Sequence, residues 1–139
     1  MASVHKLFRA PKKRLPMEEL QEAQMLTDFG LEGCSHGQPG GNRQVLLVDR
    51  ESLEAMQLQP GMLRENITTD GLNVNGLPAG QRLRIGEARL EVTVVCTPCS
   101  QVERIRPGLR KELWGRRGML CRVLEGGIIR AGDPIEKLP

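Results

Sequence analysis

Residues 82–94 read RLRIGEARLEVTV, and this stretch decides the fold class. On both sides of Gly86-Glu87, apolar side chains alternate with charged or hydroxyl-bearing ones, which is typical of half-buried strands joined by a tight turn. We therefore predict a β-hairpin. The 16 glycines and 9 prolines lie throughout the chain rather than in one linker, so we expect many short elements in a single domain, residues 1–139.

Strand signals recur outside this hairpin, whereas only one helical stripe is clear. Val45–Val48 is an apolar run that ends at Asp49, a residue type that caps helices. A helix from Asp49 through Gln57 would place Leu53 and Met56 on one face, and it is predicted to be the longest. Because closing a sheet removes its exposed edges, we expect a mostly β protein, a small closed or partly open β-barrel with a few short helices.

The C-terminal part of the chain predicts a second hairpin that closes the domain. The Gly126-Gly127 pair would form its turn, between a strand at 118–124 and a strand that contains Ile128-Ile129. Between the two hairpins, the stretch 100–115 is rich in arginine and predicts a loop with a short helix near 109–114.

Composition and charge bear on the class of protein. With 39% hydrophobic and 27% charged residues, the chain resembles ordinary globular proteins. No stretch approaches the roughly 20 apolar residues that span a bilayer, and the apolar run of a secretory signal is missing. We therefore expect a cytoplasmic protein without membrane association.

Basic residues are clustered, although the formal net charge is only +3. One cluster includes the predicted surface loop Pro11–Pro16, and the other lies within 104–117. These clusters predict a small anionic ligand, or else they are solvated faces. With no tyrosine and only Phe8, Phe29 and Trp114, the chain lacks the aromatic platforms of single-strand binders, so nucleic acid is not expected as a partner.

Cys96-Thr97-Pro98-Cys99 directly follows an apolar strand, which places two sulfurs at the end of a buried element. Three interpretations are open: half of a zinc site, a redox pair, or two inert buried thiols. A zinc site needs four ligands, but the remaining candidates include no second closely spaced pair; they are Cys34, Cys121, His5 and His36. A redox pair is expected at a helix N-terminus, whereas the flanking residues predict strands.

Two further polar stretches could contribute to a site. The glycine-rich segments Gly30–Gly37 and Gly40–Gln44 contain His36 and Arg43, and their backbone could approach an anion closely. Arg64–Thr69 combines a guanidinium, an amide and two hydroxyls, which can bind a phosphate and the edge of a heterocycle. Taken singly, the glycine-rich segments are also explained as a flexible loop, and Arg64–Thr69 as an edge strand with solvated polar groups.

Taken in order, these stretches resemble the MOSC domain family, modules similar to the C-terminal domain of molybdenum-cofactor sulfurases and found also in the mitochondrial amidoxime-reducing components. The resemblance runs from about Val4 to Ile135. It rests on an ordered set of motifs: Gly30-Leu31-Glu32-Gly33 with His36, Asn42-Arg43-Gln44-Val45, Arg64-Glu65-Asn66-Ile67, Leu77 to Gly80, Ile85-Gly86-Glu87, Leu90-Glu91-Val92 and Pro98-Cys99.

The resemblance implies a predominantly β barrel, similar to the pyruvate-kinase barrel, and a site built around one essential cysteine. In members that reduce N-hydroxylated compounds, this cysteine ligates molybdenum held by a pterin dithiolene, which implies that Cys99 is the catalytic residue and metal ligand. The Arg-x-Asn-Ile motif contacts the pterin and its phosphate in those members. The predicted cofactor-binding residues are therefore His36, Arg43, Arg64, Asn66 and Thr68. Binding of pyridoxal phosphate is a further expectation from the family.

One position departs from the family's glycine-rich motif. An aspartate usually lies between Gly33 and the residue before His36, whereas this chain has Cys34. A carboxylate that could orient His36 or a backbone turn is therefore missing, and a thiol lies near the predicted site.

The leading hypothesis is a molybdenum-dependent oxidoreductase that binds the molybdenum-pterin cofactor and receives electrons from a donor protein. A first alternative is a sulfur carrier that holds a persulfide on Cys99 and is loaded by a sulfur donor protein. A second alternative is a non-catalytic module that binds a pterin or another small anion.

Overall fold

The computed structural model describes residues 2–13 and 15–139. The predicted surface loop Pro11–Pro16 is exposed at every described position, and its Arg14, like Met1, lies outside the described residues. Among the described residues, no helix is both long enough and apolar enough to span a membrane.

Strands make up most of the regular structure. They are β1 (Ser3–Arg9), β2 (Glu18–Leu20), β3 (Glu22–Leu26), β4 (Gly30–Leu31), β5 (Val45–Asp49), β6 (Ile67–Asp70), β7 (Arg82–Ile85), β8 (Ala88–Val95), β9 (Met119–Glu125), β10 (Gly127–Arg130) and β11 (Ile135–Leu138). Two short α-helices are α1 (Arg50–Ala55) and α2 (Leu109–Glu112), and two 3₁₀ turns cover Val74–Gly76 and Ser100–Arg104. The predicted mostly β fold with a few short helices is confirmed.

Eight strands form one large sheet in the order β11-β7-β8-β9-β5-β6-β1-β2, and a small sheet has the order β10-β3-β4. The predicted hairpin is confirmed, because β7 and β8 pair antiparallel with Ile85 opposite Ala88, so that Gly86-Glu87 forms the turn. Among the described strand pairs of the large sheet, β5 and β6 alone are parallel, and α1 lies in the connection between them.

The large sheet is a partly open barrel. Its order ends at β11 on one side and β2 on the other, so the ladder of paired strands does not close. The start of β1 nevertheless approaches the segment before β11, where Ser3 and Pro134 form an isolated antiparallel bridge. The Val4 amide donates to the Asp133 carbonyl at 2.8 Å, which covers part of the open edge.

Helix α1 begins where the sequence predicts it. The Asp49 carboxylate accepts hydrogen bonds from the Ser52 amide at 3.1 Å and the Ser52 hydroxyl at 2.7 Å, which caps the helix. The helix ends at Ala55, shortly before Gln57, whose φ of 59° lies in the left-handed region and interrupts helical geometry. Of the described helices it is the longest, as predicted.

The predicted second hairpin is wrong. Strand β9 pairs with β5 and β8, whereas β10 leaves the large sheet and pairs antiparallel with β3. A Cβ at Gly126 would lie 2.4 Å from the Met25 carbonyl oxygen, and one at Gly127 would lie 2.7 Å from the Glu87 carbonyl oxygen. The two glycines therefore allow the backbone to pass close to β3 and to the turn at 86–87, and they do not form the turn of a hairpin.

Strand β5 is buried along its whole length because apolar layers cover both of its faces. Val45 and Leu47 pack into a core inside the partly open barrel, and Leu46 and Val48 pack into a second core with residues of α1 and α2. Burial on both faces explains the continuous apolar run of this strand, where a half-exposed strand would alternate.

Candidate functional site

Two adjoining cavities open where β8 ends and β9 begins. We call them the Cys99 cavity, of about 430 Å³, and the His36 cavity, of about 540 Å³. Both are lined by Arg64, Gln101 and Arg117, so these three side chains form their boundary. The Cys99 cavity has a largely apolar wall that includes Phe8, Met17, Leu63, Val102 and Ile105.

The lining of both cavities is strongly basic. The cationic side chains are Arg64, Arg104 and Arg117 in the Cys99 cavity, and Lys13, Arg43, Arg64 and Arg117 in the His36 cavity. Of the described residues that line either cavity, none is an aspartate or a glutamate. Positive charge without local neutralisation concentrates anions, so this region is suited to a negatively charged ligand.

The turn before β6 presents Arg64 to both cavities. Arg64 has a φ of 60°, an unusual backbone conformation for a residue with a side chain. The buried Glu65 carboxylate stabilises this turn by accepting hydrogen bonds from the Gly61 amide at 2.9 Å and the Thr68 hydroxyl at 2.7 Å. The Arg64 guanidinium also donates to the carbonyls of Lys12 and Leu15, which ties the 11–16 loop to the site.

Asn66 is fully buried and connects several elements beneath the His36 cavity. Its Nδ2 donates to the Phe8 carbonyl and to Cys34 Sγ, each at 3.3 Å. Its Oδ1 accepts from the Leu46 amide at 3.0 Å and lies 3.4 Å from His36 Nδ1. These hydrogen bonds connect Asn66 to the His36 loop, β5 and the end of β1.

Cys34 is buried next to this network. Burial raises the pKa of its thiol, but hydrogen bonding to the His36 side chain, the backbone amides of Ala10 and His36, and the charge of His36 lower it more, to about 7. The Ala10 amide lies 3.4 Å from the sulfur. The position that departs from the family motif therefore favours a negative charge.

Cys96 and Cys99 line different cavities. Cys99 is exposed in the Cys99 cavity, at the start of the 3₁₀ turn Ser100–Arg104, whereas Cys96 is buried and lines the His36 cavity. All four cysteines are free thiols. Over residues 2–13 and 15–139, no group of three or more histidine, cysteine, aspartate or glutamate side chains could hold a metal ion by itself.

Four of the six predicted site residues line the cavities, and two do not. Cys99 and Arg64 line one cavity, and Arg43 and His36 line the other together with Arg64. Asn66 and Thr68 line neither cavity and are fully buried. Their functional roles stay predictions.

Sequence reasoning placed Arg117 only within a basic cluster and did not single it out. No local signal distinguishes Arg117 from Arg116 beside it. The path of the chain between β8 and β9 buries Arg117 and leaves Arg116 exposed. Its place on the boundary of both cavities therefore emerges only from the tertiary structure.

Comparisons with known proteins agree with this architecture. The chain is similar to the YuaD protein of Bacillus subtilis, with 21% identity, a TM-score of 0.81 and coverage of 97% of this chain and 94% of that one. It is also similar to YiiM of Geobacillus stearothermophilus, with 19% identity, a TM-score of 0.81 and coverage of 100% and 76%. YiiM of Escherichia coli has 23% identity, a TM-score of 0.75 and coverage of 100% of this chain and 70% of that one.

At these identities the solved structures show the fold alone, and no curated protein matches the chain at a significant level. The family model described as the MOSC domain matches residues 33–136, which include every predicted site residue. The chain therefore belongs to the MOSC domain family.

Proposed function

We propose that this protein binds a molybdenum-pterin cofactor through Cys99 and reduces N-hydroxylated compounds. MOSC domains as a family are associated with the molybdenum cofactor. The observation that carries the proposal for this chain is the arrangement of the two cavities. An exposed thiol, that of Cys99, lines the same cavity as Arg64, and this cavity adjoins a second one that is basic and lined by no described carboxylate.

The residues present fit such a cofactor. A cysteine thiolate is a soft ligand that suits a metal with variable oxidation state. A phosphate-bearing pterin is an anion, and Arg43 and Arg64 provide charge and hydrogen-bond donors for its oxygens. In this arrangement Asn66 positions His36 through its side-chain oxygen, and Thr68 supports the turn that carries Arg64 by donating to the Glu65 carboxylate.

A bound cofactor of this kind would supply two-electron reduction of an N–O bond, with electrons from a donor protein. The chain's own residues orient and enclose the reactants. The apolar wall of the Cys99 cavity offers a surface for the carbon skeleton of a substrate and excludes water from one side of Cys99. His36, which lies 3.4 Å from Asn66 Oδ1, is held in a fixed orientation at the second cavity.

Elemental analysis of protein from a host that makes molybdopterin tests the proposal. Wild type and Cys96→Ser should contain near-stoichiometric molybdenum, whereas Cys99→Ser should contain almost none while remaining folded. The same preparations should reduce an amidoxime with an artificial electron donor in the same order of activity. Equal molybdenum in all three proteins would exclude Cys99 as the ligand.

The same samples separate the proposal from its alternatives. Protein without metal that carries cyanide-labile sulfur on Cys99 would indicate the sulfur carrier instead. Protein without either would reduce the conclusion to an anion-binding module. Pyridoxal phosphate, the other ligand expected from the family, stays a prediction.

A further inference from the structure

Arg117 is a buried cation for which the described part of the chain provides no carboxylate partner. Only 9% of the residue is exposed, and its Nε and Nη1 atoms have no hydrogen-bond acceptor among the described residues. The side chain lines both cavities and therefore points toward the space that a ligand would occupy. Since a buried, unpaired charge is costly, its position suggests that the partner comes from outside the chain.

The backbone around Arg117 is fixed on its C-terminal side. The Cys96 amide donates to the Gly118 carbonyl at 2.9 Å, and the Gly118 amide donates to Asn75 Oδ1 at 3.1 Å. Gly118 has a φ of 109°, and a Cβ there would lie 2.3 Å from the Leu47 carbonyl oxygen. These contacts hold the backbone of the adjacent residue, so the Arg117 side chain starts from a defined position at the boundary of the two cavities.

Other arginines with a buried orphan nitrogen differ from Arg117. Arg50 and Arg89 each also have an Nε without an acceptor, but each pairs with a carboxylate through a terminal nitrogen. Arg117 has no ion pair with any described carboxylate. Ser35 Oγ, a second buried polar atom without a described partner, belongs to a residue that lines the His36 cavity.

We propose that Arg117 is a principal contact for a phosphate group of the bound small molecule, at the boundary between the two cavities. Its free N–H groups donate to the phosphate oxygens, and Lys13, Arg43 and Arg64 contribute positive potential. Ser35 supplies an additional hydroxyl donor. This assignment deepens the proposed function and rests on it for the identity of the ligand, although the charge of the group follows from the cavity itself.

Calorimetric titration with inorganic phosphate and with pyrophosphate tests this assignment on the cofactor-free protein. Wild type should bind both, and Arg117→Met should bind them at least about tenfold more weakly, since charge-assisted hydrogen bonds are lost. Arg116→Met is the matched control, because Arg116 is the exposed neighbour and should leave binding unchanged. Added salt should weaken binding to wild type.

Thermal unfolding of the same cofactor-free variants separates a binding role from a structural one. Arg117→Met keeps most of the side-chain volume and removes the unpaired charge, so its unfolding temperature should equal or exceed that of wild type. A variant that fails to fold, or that is clearly destabilised, would overturn the assignment, because the chain itself would then need the guanidinium.

Failure of this assignment is distinguishable from failure of the proposed function. Unchanged phosphate affinity in Arg117→Met, or no phosphate binding by wild type, would overturn the role of Arg117 even if Cys99 retained molybdenum. Phosphate binding that depends on Arg117 in a protein that never holds molybdenum would support the anion site and refute the cofactor.

Discussion

Two buried cysteines, in the loop after β4 and in the middle of β9, respond to burial in opposite ways. Cys121 is fully buried in the apolar core, and desolvation raises the pKa of its thiol far above the ordinary range. Cys34 is only 6% exposed, yet hydrogen bonding and the charge of His36 outweigh the same penalty and lower its pKa to about 7. Burial sets the cost of the charge, and local donors decide whether the charge forms.

This contrast gives the departure from the family's motif a physical meaning. An aspartate at position 34 would carry a negative charge next to His36. A thiol whose pKa is about 7 can carry that charge at neutral pH and accept hydrogen bonds from the Ala10 amide and Asn66 Nδ2. Cys34 therefore accepts hydrogen bonds that a carboxylate at this position could also accept.

The largest expected effect is the difference in ionisation between the two thiols. In a Cys96→Ser, Cys99→Ser background, absorbance of the thiolate in the ultraviolet should show one group with a midpoint near pH 7. Near pH 8 about nine-tenths of Cys34 should be thiolate, whereas Cys121 should stay protonated. Two thiols that titrate together near the ordinary value would refute the comparison, and Cys34→Ser identifies the group.

Stability should depend on pH with opposite signs at the two positions. Because folding lowers the pKa of Cys34 from about 9.0 to about 7, its contribution is full above pH 9 and is lost as the pH falls toward 7. The advantage of wild type over Cys34→Ser should therefore grow by about 2 kcal/mol between about pH 6 and pH 9.

Urea unfolding of wild type and of Cys34→Ser between about pH 6 and pH 9 measures this difference in the free energy of unfolding. For Cys121 the pKa is raised on folding, so its contribution is present below pH 9 and shrinks above it. An advantage over Cys34→Ser that stays constant with pH would show that Cys34 is not a thiolate in the folded protein.

His36→Asn should move Cys34 toward the behaviour of Cys121. The substitution removes the hydrogen bond from the imidazole and the charge of His36 but leaves the burial of the thiol, so the pKa of Cys34 should rise. The ultraviolet titration measures the shift. His5→Asn, on β1, is the control and should change nothing; an unchanged midpoint in His36→Asn would assign the effect to the amides alone.

The smallest expected effect is the cost of replacing sulfur by oxygen. Near pH 6, Cys121→Ser should be less stable than Cys34→Ser by about 1 kcal/mol, because a hydroxyl in the apolar core lacks suitable partners. At position 34 the Ala10 amide and Asn66 Nδ2 can still donate to the new oxygen. Chemical denaturation of Cys121→Ser and Cys34→Ser near pH 6 measures this difference. Equal losses in the free energy of unfolding would show that the two donors near position 34 do not stabilise the new hydroxyl.

Local structure followed from local sequence. The alternation in 82–94 predicted the β7–β8 hairpin, and Asp49 predicted the start of α1, since both depend on residues a few positions apart. The ordered motifs likewise indicated the MOSC family from the sequence alone. What failed was the hairpin at Gly126-Gly127, because β10 pairs with β3, about a hundred residues earlier, and no local pattern encodes that choice.

The sequence by itself therefore determined the strand-rich elements, the family and the residue types available to the site. Only the tertiary structure decided which of them line the two cavities. It places Arg64, at a left-handed backbone position, on the boundary of both cavities while burying Asn66 beside Cys34, and it buries Arg117 while exposing Arg116. The reason is physical: orientation, burial and pKa depend on groups brought together from distant parts of the chain, and desolvation acts only once they are packed.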